Sequence, residues 1–118
     1  MIIKSLIVLN IIWDFLCAFS ILFNFYPFSN FHTNLWIKIE NRNNISAKHL
    51  MAYLILYWGS MRLFGLITNN KNIIIFSYIF EGLIVLSEVL IFNNIFFYNG
   101  ILLSIFCFFI AFIIFNNL

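Results

Sequence analysis

Charge is what this chain has least of. Its 118 residues include six Lys or Arg and four Asp or Glu, so 8% are charged, against about 25% in ordinary soluble domains. A soluble surface cannot be covered with so few polar groups, which argues against a water-exposed globule. Disorder is excluded by the same numbers, since disordered chains are poor in apolar residues and rich in charge. One Pro and four Gly leave little material for a loop-rich fold. A net charge of +2, dispersed along the chain, lacks the basic patch of a nucleic-acid binder. Two cysteines, Cys17 and Cys107, are read as buried thiols acting as small apolar residues. Neither they nor His32 and His49 have metal-ligand spacing. There is no Gly-rich phosphate loop, nucleophile motif or internal repeat, so no cofactor and no metal is expected.

What the chain does have is apolar residues, at 64%, and aromatics, at 21%. These amounts fit an integral membrane protein whose first partner is the lipid bilayer. A hydrocarbon core about 30 Å thick takes roughly 20 residues of helix. Four stretches have that length: about 5–25, 50–68, 73–92 and 95–115. Pro27 closes the first, Asn69-Asn70-Lys71-Asn72 the second, and Asn93-Asn94 the third. The fourth has two candidate starts, at Ile95 or after Asn99-Gly100. Barrel strands alternate apolar and polar residues, whereas these segments are apolar on every face. The expected fold is all-α, a single four-span transmembrane domain built as a four-helix bundle.

A cleaved signal peptide is not expected at the N-terminus, because Asn10 and Asp14 interrupt the apolar run and no small-x-small site follows. Lipidation motifs are absent as well. Lys4 and Lys71 lie on one membrane face, and Lys38, Arg42 and Lys48 on the other. The positive-inside rule therefore leaves orientation open. In the long first connection, Phe28, Phe31, Leu35, Trp36 and Ile39 recur at helical spacing beside Lys38, Glu40 and Arg42. That pattern fits either a short interfacial helix or an irregular loop with scattered aromatics. Asn44-Ile45-Ser46 matches a glycosylation acceptor, but it lies too near the second span for modification. Ser46 is the expected helix cap.

Four ionisable residues fall inside the spans: Asp14, Arg62, Glu81 and Glu88. Each costs roughly 2.5–3.5 kcal/mol at a helix centre, so such groups face the bundle interior and pair. Counted from the face that carries the N-terminus, Asp14 is roughly 14 Å deep, Arg62 roughly 9 Å and Glu81 roughly 12 Å. An acid, a base and an acid from three helices thus share one level. The expectation is that Arg62 bridges Asp14 and Glu81. Asn10, Ser77 and Tyr78 lie one turn from these acids and are candidate supports. Gly59 and Gly65 flank Arg62 and permit close helix approach. Trp58, one turn from Arg62, is a candidate to stack on it. Glu88 follows Glu81 by two turns on the same face, with Lys48 or His49 as candidate partners. The fourth span, with only Ser104 and Cys107 as polar points, reads as a lipid-facing wall or an oligomer contact. Two acids on one guanidinium leave a surplus negative charge that a proton can neutralise. The cluster is therefore either a structural lock on helix register or a proton-linked site.

Ala47-Lys48-His49, Trp58-Gly59-Ser60-Met61-Arg62 and Leu86-Ser87-Glu88 together resemble the ergosterol-biosynthesis scaffold family. Its members are small four-pass proteins of the endoplasmic reticulum that tether sterol-demethylating enzymes without being catalytic. The resemblance implies that Arg62 and Glu88 occupy the family's polar positions. The interval between them is about one turn shorter here, Ile84 stands where the family has His, and the N-terminal third does not match. The expected function is a non-catalytic scaffold or assembly subunit. Its partners would be other membrane proteins or a second copy of the chain. The first alternative is a small proton-coupled exporter using Asp14. Length and span number resemble the small multidrug-resistance exporters, although four Gly and four Ala are few for them. The second alternative is a lipid-modifying membrane enzyme, which would need a cavity beside its acids. The Ile, Phe and Asn content points to an AT-rich genome, and the expected location is the endoplasmic reticulum or another host or organelle membrane.

Overall fold

A computed structural model describes residues 2–24, 33–38 and 44–118. Four helices carry the fold: α1 (Ile2–Phe23), α2 (Ile45–Ile67), α3 (Lys71–Leu90) and α4 (Phe97–Asn117). All four are long and apolar enough to cross a bilayer; at 1.5 Å per residue even the shortest reaches about 30 Å. The protein is a small multi-pass integral membrane four-helix bundle. A 3₁₀ turn at Thr33–Leu35 is the remaining helical element among the described residues.

Polarity is inverted relative to a soluble protein. Leu9, Phe112 and Phe115 are each more than 60% exposed, whereas Arg62 is fully buried and Asp14 and Glu81 nearly so. Water would not tolerate that outer surface, and lipid has no use for the inner one. The main contacts follow chain order, α1 with α2 and α3 with α4, with α2 and α3 joining the two pairs. On the inner face of α4, Gly100, Ser104, Cys107, Ala111 and Ile114 are buried. This stripe of mostly small residues lets α4 approach α3 closely. At Gly82 on α3, an added Cβ would lie 3.0 Å from the Phe108 ring. The fourth helix is thus a lipid-facing wall on one side and an intimate partner of α3 on the other.

The turns are made with asparagine. Asn24, Asn69 and Asn93 all adopt left-handed backbone conformations, with φ of 58°, 54° and 53°. Asn tolerates this region through its short polar side chain, and no glycine is used there. Asn69→Val is accordingly expected to cost about 1–2 kcal/mol in denaturant unfolding, and Asn69→Gly to leave stability unchanged or raise it.

Helix ends differ from the expected spans for local reasons. The second helix begins at Ile45 because the Asn44 side chain accepts from the Ala47 N–H at 3.1 Å. Asn44, not Ser46, is therefore the cap, and Ser46 lies in the first turn. The fourth helix begins at Phe97, so Asn99 sits in its first turn and Gly100 packs against Val89. Of the aromatic pattern in the first connection, Phe28, Phe31, Ile39, Glu40 and Arg42 lie outside the described residues. Leu35 and Trp36 are described and fold back over the α3–α4 turn. There Ile37 N–H donates to Asn94 O and Phe96 N–H to Leu35 O, both at 2.9 Å.

Candidate functional site: an intramembrane ionic cluster

Midway through the bundle, three helices deliver one base and two acids to a common point. Gly59 on α2 makes this approach feasible, since a Cβ there would lie 3.1 Å from the Asp14 Cβ of α1. Arg62, one turn further along α2, spreads its fork between the neighbouring helices. Its Nη1 donates to Asp14 Oδ2 at 2.6 Å, and its Nη2 donates to Glu81 Oε2 on α3. Its Nε donates to Ser77 Oγ at 3.2 Å. The Ser77 hydroxyl in turn donates to the Ile74 carbonyl at 2.6 Å, which leaves its lone pairs facing the guanidinium. Every guanidinium nitrogen therefore has a partner, each from a helix other than its own. This matches the planar, forked geometry that suits Arg, and not Lys, to buried ion pairs.

The flat face of the guanidinium lies on the Tyr78 ring, 3.8 Å from its centroid. Tyr78, not Trp58, is the stacking residue. A residue one turn away on α2 projects alongside Arg62, whereas Tyr78 reaches across from α3. The Tyr78 hydroxyl donates to Asn10 Oδ1 at 2.5 Å, and Asn10 Nδ2 makes a long contact of 3.5 Å with Asp14 Oδ1. A closed circuit runs from Arg62 through Asp14, Asn10 and Tyr78. Tyr78→Phe is expected to lose the Asn10 bond but keep the ring. Unfolding should then report a loss of about 0.5–1.5 kcal/mol, clearly less than for Tyr78→Leu.

Apolar layers close the cluster above and below. On the side of the chain termini lie Ile7, Ile11, Ile74, Ile110 and Ile114. On the other side lie Ala18, Ile21, Ala52, Ile55 and Trp58. Trp58 is buried in this second layer and does not face lipid. Its indole N–H has no hydrogen-bond acceptor among the described residues.

Glu88 does not join the cluster. Its carboxylate accepts from the Asn94 side chain at 2.8 Å, in place of Lys48 or His49. The turn after α3 folds back and supplies this nearer partner, with Asn94 N–H also bonding the Glu88 carbonyl at 2.9 Å. His49 instead packs its ring near Tyr53, with centroids 6.3 Å apart. It lines a separate cleft with Lys48 and Ile21. Cys17 and Cys107 are buried free thiols.

Sequence spacing gave no sign of a cavity of about 360 Å³ between the far halves of α2 and α3. Leu54, Ile55, Ile84 and Val85 form its apolar walls, and Leu35 and Trp36 border it. Its polar groups are Glu81, Glu88, Asn94 and Trp58. The cavity thus reaches from the α3–α4 turn to the ionic cluster. No protein-family model, no curated protein and no solved structure matches the chain. The resemblance to the scaffold family accordingly rests on the residue positions that carry it.

Proposed function

We propose that the chain is a non-catalytic scaffold or assembly subunit of a cellular membrane, in which the ionic cluster locks helix register. One observation carries this reading: Arg62 spends all its nitrogens on Asp14, Glu81 and Ser77 within the bundle. An exporter needs an acid that a cationic substrate can reach, and a buried guanidinium beside Asp14 opposes both the access and the charge. The resemblance of the segments around Arg62 and Glu88 to the sterol-enzyme scaffolds points the same way. The test is a census of proteins that co-purify with the tagged chain from its native membranes. The expected result is a stoichiometric set of membrane enzymes, retained by Asp14→Asn provided that variant folds. Proton-coupled cation uptake in proteoliposomes that Asp14→Asn abolishes would overturn it in favour of the exporter.

A second reading, acid–base chemistry on a lipid, is favoured by the cavity that Glu81 and Glu88 line. Against it, Glu81 is held by Arg62 and Glu88 by Asn94. Lipid turnover that Glu88→Gln abolishes would establish this reading and displace the scaffold.

A further inference from the structure

The cavity between α2 and α3 has features that a register lock does not require. Its volume of about 360 Å³ falls within the roughly 300–1,000 Å³ of ligand sites. Two carboxylates line it, Glu81 and Glu88, and among the described residues no Lys, Arg or His does. Among the described residues the buried acids are Asp14 and Glu81, with the half-buried Glu88 beyond them, and Arg62 is the one buried base. The cavity is therefore electronegative. Trp58, only 4% exposed, forms part of its wall, and its indole N–H is itself closed off from open space.

From these groups we infer that the cavity binds a single-chain amphiphile bearing a protonated amine, with the amine on Glu88. Glu88 lies two residues before the end of α3, near headgroup depth. It stands about 10 Å from the level of Glu81. The apolar walls of Leu54, Ile55, Ile84 and Val85 take the start of the chain.

The test uses the full chain in phosphatidylcholine nanodiscs, with Trp13→Phe leaving the two cavity residues Trp36 and Trp58 as the reporting fluorophores. Titration with sphinganine, an octadecyl amino alcohol, is expected to give a saturable change in tryptophan emission. Glu88→Gln should weaken it at least tenfold. Octadecanol and stearate, which lack the amine, and ethanolamine, which lacks the chain, should give no saturable change. A non-saturable response to sphinganine overturns the inference. So does stearate binding equally well, or a folded Glu88→Gln protein that binds like its parent. Should Glu88→Gln fail to fold by circular dichroism, Leu54→Phe narrows the apolar wall and carries the same expected loss. None of these outcomes depends on the co-purification census, so the site and the scaffold reading stand or fall separately.

Discussion

Arg62→Met is expected to destabilise the bundle by about 3–5 kcal/mol, the cost of leaving buried charges without their partner. Both Asp14 and Glu81 lose their donor at once, and both carboxylates are almost wholly buried. Ser77 loses its third-party bond but keeps Ile74. Arg62→Lys should recover only part of this. An ammonium on a flexible stem cannot serve three acceptors on two helices in one plane, nor lie flat on Tyr78. By contrast, the triple variant Asp14→Asn, Arg62→Met, Glu81→Gln should regain much of the loss. Replacing an entire buried ionic group is often close to neutral, whereas removing one member is not. Reversible unfolding in mixed micelles, followed by circular dichroism, measures all three.

Gly100→Ala is the second large effect, and here two contributions oppose each other. Ala gains about 1 kcal/mol over Gly in a helix interior. At this position, however, the added Cβ would lie 2.1 Å from Val89 Cγ2 and 3.0 Å from the Ile95 side chain. Val is β-branched and has essentially one rotamer in a helix, so it cannot swing aside. The start of α4 must move away from the end of α3, and overpacking of this kind costs about 1–3 kcal/mol. A net loss of stability is therefore expected. The loss should be smaller in the pair Gly100→Ala with Val89→Ala, which removes the obstructing methyl groups. Unfolding midpoints of the two variants decide the sign.

Much of the architecture could be read from the chain because bilayer thickness and apolar length are one constraint. The charged residues were legible for a related reason. Helices of known rise, entering from known faces, place Asp14, Arg62 and Glu81 at comparable depth without any tertiary information. Spacing failed where the partner comes from another element. Trp58 is the aromatic next to Arg62 along α2, but Tyr78 on α3 is the one beneath the guanidinium. Which face a helix turns to its neighbour is set by packing, here by Gly59 against Asp14 and by the small-residue stripe of α4. Glu88 went to Asn94 for the same reason: a turn that follows a helix can reach back to its last residues, and composition alone does not show that it does. The cavity was invisible because it depends on how α2 and α3 part beyond their tight connection at Asn69 and Asn70. The second helix starts ahead of the apolar span at Leu50, because its capping side chain lies at Asn44.

The central claim is that Arg62 and Glu81 act as a bonded pair within the membrane, and a double-mutant cycle tests it most directly. Unfolding free energies of the parent, Arg62→Met, Glu81→Gln and the double variant give the coupling between the two positions. The account predicts a double variant less destabilised than the sum of the single ones, with a coupling of about 1–3 kcal/mol. Additivity to within about 0.5 kcal/mol would contradict it, because two side chains that do not feel each other cannot hold α2 and α3 in register.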